Sequence, residues 1–135
     1  MAIFDEWIEK AKQDLRVAKL LIKEEEDVWG IAAYHTQQCA EKALKGYLSY
    51  KNQALNKTHN LVLLLDLCKA IDSSFGNFEN EAIVLTPYSS KFRYPDDVCM
   101  IHKDDAAFAI VAASKILNFV KLKISNKPDP NLTIF

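Results

Sequence analysis

The sequence predicts an all-α fold, an up-and-down bundle of four or five helices. Apolar residues recur at intervals of three and four along several long segments, which is the spacing of one face of an α-helix. No segment of useful length shows the alternation of apolar and polar residues that is typical of a strand. Glycine and proline are rare, with Gly 3 and Pro 4, which disfavours a turn-rich all-β fold.

The first half of the chain is predicted to form two long helices. One covers residues 3–25 and the other covers residues 30–51, and Asp27 with the Trp29-Gly30 step marks the break between them. The apolar stripe of the first helix consists of Phe4, Trp7, Ala11, Leu15, Ala18 and Ile22.

Two shorter helices are predicted after a polar loop at residues 52–57. Thr58 or Asn60 caps the first of them. Its apolar residues are Leu61, Leu64, Leu65, Cys68 and Ile71. After a turn, a fourth helix covers roughly residues 77–86, and Pro87 ends or kinks it.

An irregular segment at residues 87–104 is predicted to precede the last helix, which Asp104 or Asp105 caps. The buried face of that helix consists of Ala106, Ile110, Ala113, Leu117, Val120 and Ile124. Residues 1–124 are therefore predicted to form one helical domain, and residues 125–135 a flexible C-terminal tail.

Composition and charge disfavour several classes of protein. Lys and Arg total 17 and Asp and Glu total 18, so the net charge of -1 gives no broad basic field for non-specific nucleic-acid binding. The cysteines Cys39, Cys68 and Cys99 are widely spaced, which favours a reducing compartment over a disulfide framework. The apolar runs are too short to span a bilayer, and the N-terminus shows no signal-peptide pattern. We therefore predict a cytoplasmic protein without membrane contact.

A second, polar stripe on the predicted helix 30–51 is the most informative feature of the chain. His35, Gln38, Lys42 and Lys45 recur at spacings of three, four and three, so they share one helical face. Lysine supplies charge to a phosphate, and glutamine contacts a base edge or completes a hydrogen-bond network. The alternatives are a solvated face or a polar network between the helices of a dimer, and charged helix faces are usually just hydrated.

Asp14 interrupts or borders the apolar stripe of the first helix. A buried carboxylate needs a cation or a hydrogen-bond donor beside it, and the candidates are His35, Lys42 and Arg93. The alternative places Asp14 at the edge of the stripe, in water.

Lys57 and His59 adjoin the predicted start of the third helix. The exposed backbone amides of a helix start, assisted by Lys57, are suited to binding an anion. The alternative is an ordinary helix cap in which His59 is hydrogen-bonded to a neighbouring helix.

Arg93 and Tyr94 precede Pro95, which favours an extended conformation for Tyr94. Such a pair can hold a phosphate and stack on a base, or the arginine can neutralise a buried acid. Arg93 with His102 is also a candidate for metal-free ribonuclease chemistry, with the histidine as proton carrier and the arginine stabilising the transition state.

No metal or cofactor is predicted. The histidines and cysteines lack the spacing of zinc ligands, and neither glycine-rich nucleotide-binding motif occurs in the chain.

In combination, these motifs resemble the HEPN domain family. The resemblance is carried, in chain order, by Asp14-Leu15 in the first helix, by residues 35–45, by residues 57–61 and by Arg93-Tyr94-Pro95, followed by an Ala-rich final helix. It covers residues 3–124 and implies a HEPN-like up-and-down bundle that usually dimerises.

The resemblance further implies a small prokaryotic protein of the kind often paired with a minimal nucleotidyltransferase in a toxin–antitoxin-like module. Many members of the wider superfamily are metal-independent ribonucleases, in which an arginine is followed four to six residues later by a histidine. In this chain eight residues separate Arg93 from His102, and Arg-Tyr-Pro looks more like the binding branch. Only Arg93 and Tyr94 are therefore carried over, as ligand or partner contacts.

Three functional interpretations follow. The first is a homodimer that binds a nucleotide or RNA and a nucleotidyltransferase partner, through residues drawn from His35, Gln38, Lys42, Lys45, Lys57, His59, Arg93 and Tyr94. The second is a metal-independent ribonuclease that uses Arg93 with His102 or His59. The third is a structural homodimer without a ligand. Dimerisation is also favoured by surplus apolar side chains on the first and second helices, namely Trp29, Ile31, Tyr34, Tyr47 and Tyr50.

Overall fold

A computed structural model describes residues 2–54, 56–90 and 101–125 of the chain. Within these ranges it contains five α-helices and no strand, so the prediction of an all-α bundle is confirmed. The helices are α1 (Ile3–Leu21), α2 (Trp29–Tyr50), α3 (Leu61–Ile71), α4 (Glu79–Leu85) and α5 (Lys103–Ser125). Short 3-10 helices at Glu26–Val28, Ser73–Phe78 and Thr86–Ser89 connect them.

The central element of the bundle is α2. Its most extensive contacts are with α1 and α5, and α3 and α4 cover the remaining apolar side. Small side chains let these helices approach closely, because an alanine adds little beyond the backbone to the distance between two axes. Buried alanines from α1, α2 and α5 include Ala11, Ala18, Ala40, Ala43, Ala109 and Ala113.

Gly46 is the tightest point of the packing between α1 and α2. A Cβ atom built on Gly46 would lie 3.0 Å from Ile8 Cδ1 and 3.2 Å from Trp7 Cβ. Glycine is therefore favoured here by the proximity of the first helix and not by an unusual backbone conformation.

An aromatic cluster closes one end of the bundle. The ring of Phe75 lies 4.5 Å from the ring of Tyr47 and 5.0 Å from that of Phe119, measured between centroids, and Phe78 lies 4.8 Å from Phe119. The cluster joins the C-terminal halves of α2 and α5 to the 3-10 helix Ser73–Phe78. An ion pair lies at the same end of the bundle, where the carboxylate of Asp72 is 2.7 Å from Lys123 Nζ on α5.

The first and third helices differ from the predictions at their ends. The helix predicted over residues 3–25 stops at Leu21, and the backbone N–H of Ile22, its C-cap, donates to the carbonyl of Ala18. Asn60 and not Thr58 caps α3, since its side chain accepts hydrogen bonds from two backbone amides of the first turn. Of the apolar residues predicted on this helix, Ile71 is exposed and the other four are buried.

The later boundaries also differ. The fourth helix begins at Glu79 and not at residue 77, because the preceding residues form a 3-10 helix that Asp72 caps. The last helix begins at Lys103, so neither Asp104 nor Asp105 is its cap. Both lie in its first turn, where the Asp105 carboxylate accepts a hydrogen bond from the backbone N–H of His102.

Part of the predicted irregular segment and almost all of the predicted tail, residues 91–100 and 126–135, lie outside the described residues. Ser125, the first residue assigned to the tail, ends α5. None of the helices in the described ranges combines the length and the apolar character that crossing a bilayer requires.

The apolar residues predicted to form surplus surface all lie on α2, and most of them are buried or partly buried within the chain. Tyr47 is buried, and Trp29, Tyr34 and Tyr50 are partly buried, which leaves Ile31 as the exposed member of the set. The sequence pattern therefore located the apolar residues on α2 but did not reveal that other parts of the same chain cover most of them.

Candidate functional site

The polar stripe of α2 lies between α1 and the segment that leads into α3, and its side chains are paired within the chain. Gln38 and Lys45 are 9% and 7% exposed, so this is not the hydrated helix face that such a stripe most often indicates. No buried polar side-chain atom in the described ranges lacks a hydrogen-bond partner. The stripe is therefore a satisfied polar network inside the subunit.

The first cluster of the network is centred on Asp14 of α1. Its two carboxylate oxygens are used separately, with Lys42 Nζ 2.6 Å from Oδ2 and His35 Nδ1 2.8 Å from Oδ1. Both partners come from α2, about two helical turns apart along the stripe. The carboxylate is thus buried beside two of the three candidates considered, while the third, Arg93, lies outside the described residues.

The second cluster is centred on Glu41 of α2. Lys45 Nζ lies 3.0 Å from Oε2, and His59 Nδ1 lies 2.8 Å from Oε1. Gln37 donates from Nε2 to the same Oε1 at 3.1 Å. This cluster connects α2 to the segment before α3, so it fixes the point at which the chain enters that helix.

Two glutamines extend the second cluster. Gln37 Nε2 also donates to the backbone carbonyl of His59 at 3.0 Å, and Gln38 Nε2 donates to Gln37 Oε1 at 2.7 Å. Gln37 therefore holds both the backbone of His59 and the carboxylate that orients its ring. The side chain of Gln38, predicted as a ligand contact, is hydrogen-bonded to Gln37.

Burial and hydrogen bonding oppose one another at Glu41. Burial raises the pKa of the carboxyl, but the hydrogen bonds from His59, Lys45 and Gln37 outweigh it and hold the pKa below its ordinary value. The group is therefore an anion at neutral pH despite its position inside the protein. Lys45 also lies 5.9 Å from the centroid of the Trp7 ring, a favourable cation–π position.

His59 is the part of this network that reaches solvent. Its side chain is 55% exposed, although Glu41 fixes one edge of the ring. If Nδ1–H donates to the carboxylate, Nε2 is the ring nitrogen that remains for another partner. Lys57 is exposed two residues earlier, and His35 and Lys42 are about a quarter exposed on the other cluster.

Three predicted site residues are left. Arg93 and Tyr94 lie outside the described residues. His102 is exposed just before α5, and its backbone N–H is hydrogen-bonded to Asp105. The pairing of Arg93 with His102 therefore stays a prediction.

Sequence reasoning missed Glu41 and Gln37, the two residues that organise the second cluster. A signal was present, because Gln37 stood on the apolar stripe of the helix as its one polar residue, with Glu41 and Lys45 following at intervals of four. An amide among apolar positions followed by an acid and a base at helical spacing indicates a buried network.

The described residues offer no group of three or more histidine, cysteine or acidic side chains that could hold a metal ion. Cys39 and Cys68 are buried, and burial raises the pKa of each thiol to about 12, which favours the thiol over the reactive thiolate at neutral pH.

Comparison with known proteins places these features in a family. The model of the HEPN domain family matches residues 4–123, nearly the whole chain. The solved structure of ST0689, an archaeal HEPN homologue, is 27% identical and has a TM-score of 0.74, with 93% of this chain and 100% of that chain covered. TT1696 from Thermus thermophilus is 31% identical and has a TM-score of 0.79, with 91% of this chain and 99% of the other covered. A search of curated proteins finds no match. On the family match and the agreement of the two folds along their whole length, this chain belongs to the HEPN domain family.

Proposed function

We propose that this chain is a nucleotide- and partner-binding HEPN protein of the Arg-Tyr-Pro type. It acts as a homodimer with a minimal nucleotidyltransferase in a toxin–antitoxin-like module, and it does not itself catalyse a reaction. The anionic part of the nucleotide binds at the entrance to α3.

The observation that carries this proposal is the coupling of Glu41 to His59. A buried anion holds one nitrogen of the ring at 2.8 Å, while more than half of the histidine side chain faces solvent. When the imidazole carries a hydrogen on each nitrogen, Nδ1–H donates to Glu41 and Nε2–H is a donor to a phosphate, held in one orientation by the carboxylate. Lys57 adds an exposed cation on the same segment.

The predicted site residues differ in whether their side chains are exposed or already bonded within the chain, and their proposed roles differ accordingly. His59 and Lys57 contact the anion directly. Lys45 and Gln38 act indirectly, because they are buried and bonded to Glu41 and Gln37. Lys42 and His35 are bound to Asp14 and support the adjoining surface. Arg93 and Tyr94 complete the contacts to ligand or partner.

Calorimetric titration of the purified protein with ATP, GTP and AMP tests nucleotide binding. We expect binding of at least one nucleotide, weakened about tenfold or more by His59→Gln or Lys57→Ala, since each removes about one charge-assisted hydrogen bond. Lys12→Ala is the matched control, because Lys12 is an exposed lysine paired only with Glu9 three residues away. Silence for all three nucleotides contradicts this part of the proposal.

The partner is tested by co-expressing the chain with a minimal nucleotidyltransferase encoded beside its gene. We expect the two proteins to co-purify through size-exclusion chromatography and the double variant Arg93→Ala, Tyr94→Ala to lose the partner. Absence of a complex for the wild-type chain contradicts the pairing.

Ribonuclease activity is the second candidate, and the Glu41–His59 pair is the observation that favours it. A histidine oriented by a carboxylate is a common form of general base. Incubation with RNA in EDTA distinguishes the two functions. Cleavage that Arg93→Ala abolishes together with either His59→Ala or His102→Ala supports the enzyme, and intact RNA supports the binding protein.

A further inference from the structure

The N-terminal half of α5 presents an apolar patch to solvent. Phe108 and Val111 are 55% and 52% exposed and lie three residues apart, on one side of the helix. Ala107, beside them, is exposed as well and adds no bulk. A single exposed apolar residue is ordinary, but an exposed aromatic and a valine on one face of a helix form a surface that another helix can cover.

Charged residues bracket this patch symmetrically. Asp104 precedes Phe108 by four residues, and Lys115 follows Val111 by four, so all four side chains share one stripe with spacings of four, three and four. Asp104 and Lys115 are both exposed, and neither forms an ion pair with another residue of the described ranges. Read in either direction, the stripe is charge, apolar, apolar, charge, with opposite signs at its two ends.

We propose that this stripe is the face through which a second copy of the chain binds, with the two α5 helices packed antiparallel about a two-fold axis between Phe108 and Val111. Phe108 of each copy then packs on Val111 of the other, and Asp104 of each meets Lys115 of the other. A two-fold interface needs this self-complementarity, because every contact in it occurs twice with the roles exchanged. The inference specifies the interface of the homodimer named under Proposed function.

The alternative registers of the same helix fit less well. A two-fold axis centred on Lys115 would bring Leu122, which is also exposed, into contact with Phe108, but it would set Lys115 against Lys115 of the second copy. A parallel pair would oppose Asp104 with Asp104 and Lys115 with Lys115. Only the antiparallel register centred between Phe108 and Val111 opposes unlike charges and pairs the apolar residues at once.

Sedimentation equilibrium at low salt, with no nucleotide and no partner present, tests the proposal. We expect a species of twice the 15.3 kDa monomer mass for the wild type. Asp104→Lys and Lys115→Asp should each weaken the dimer about tenfold or more, because the symmetry turns both ion pairs into like-charge pairs. The double swap Asp104→Lys with Lys115→Asp should restore wild-type association, since the unlike pairs re-form with exchanged signs.

The double swap also controls for folding, because it contains both single changes. Phe108→Ser should give a monomer, whereas Leu20→Ser, at an equally exposed leucine on α1 (54%), should not. A monomeric wild type, single swaps without effect, or a double swap that stays monomeric would each overturn this interface. None of these results bears on the calorimetric titration, so failure of the interface is distinguishable from failure of nucleotide binding.

Discussion

At the scale of single residues, each of the two buried carboxylates of the polar network has its own cationic partners. Asp14 and Glu41 each bind one lysine and one histidine, and in each case the two oxygens take different partners. Removing one member of such a group costs more than the group contributes as a whole, because the remaining charges are left in a poorly solvated place. The residue-level predictions follow from this asymmetry.

Replacing Asp14 by alanine should lower the free energy of unfolding by about 1–3 kcal/mol, because Lys42 and His35 lose the buried oxygens that they bind. Urea unfolding followed by circular dichroism measures the loss. Glu9→Ala, which breaks an exposed pair with Lys12, should change stability by about 0.5 kcal/mol or less. Equal effects of the two substitutions would contradict the buried role of Asp14.

Replacing Glu41 by glutamine should produce a pH-dependent loss of stability. The pKa of Glu41 is lowered in the folded protein, so its charged form stabilises the fold above the ordinary value of 4.5, and this contribution is lost as the pH falls through the folded-state pKa. Urea midpoints measured from about pH 7 to about pH 3 should show a deficit of the variant that shrinks below the ordinary pKa. Glu79→Gln, in an exposed pair with Lys69, is the control. A deficit that is constant with pH would contradict the prediction.

At the scale of helices, periodicity predicted the number and order of the elements but not what each face meets. The stripe His35, Gln38, Lys42 and Lys45 was correctly placed on one face, because that follows from helical geometry alone. Its burial could not be predicted, since Asp14 and His59 approach it from distant parts of the sequence. Periodicity did not decide the caps for a similar reason. Asn60 was one of two candidates and Asp72 was missed, because each acts through hydrogen bonds that nearby polar residues could also have made.

Replacing Gly46 by leucine should separate α1 from α2 and lower the free energy of unfolding by about 1–3 kcal/mol, in spite of leucine's better helix propensity. The added side chain begins 3.0 Å from Ile8 and 3.2 Å from Trp7, where no space exists for it. Gly76→Ala is the control, because its Cβ would meet only Lys69 at ordinary distances of 3.5 and 3.6 Å. Thermal melting that ranks Gly76→Ala as the more damaging change would contradict this description of the packing.

At the scale of the whole molecule, the described helices form one connected core with α2 inside it, and the related folds match over nearly the full chain. The family could be predicted because its motifs are short, local and ordered along the sequence. The surface on α5 could not, since exposure of Phe108 and Val111 depends on which side of the helix the rest of the bundle occupies.

Thiol labelling reports on this core as a unit. Cys39 and Cys68 lie on different helices, and the pKa of each thiol is raised to about 12, chiefly by burial. In a Cys99→Ser background, we expect neither thiol to react with iodoacetamide until the protein unfolds, and both to react at one common rate. Mass spectrometry during a urea titration measures this. Rapid modification of either cysteine in native buffer would show that its helix opens by itself.

A chain of non-covalent contacts through Glu41 links the segment before α3 to the first helix. His59, Glu41 and Lys45 are linked in series, and the ammonium group at the end of the series faces the Trp7 ring. A ligand that binds the imidazole of His59 and shifts it away from Glu41 weakens the hydrogen bond between the two. The carboxylate of Glu41 then depends more on its ion pair with Lys45. Ligand binding at His59 therefore changes the electrostatic surroundings of the Trp7 indole, and the fluorescence of Trp7 would record the change.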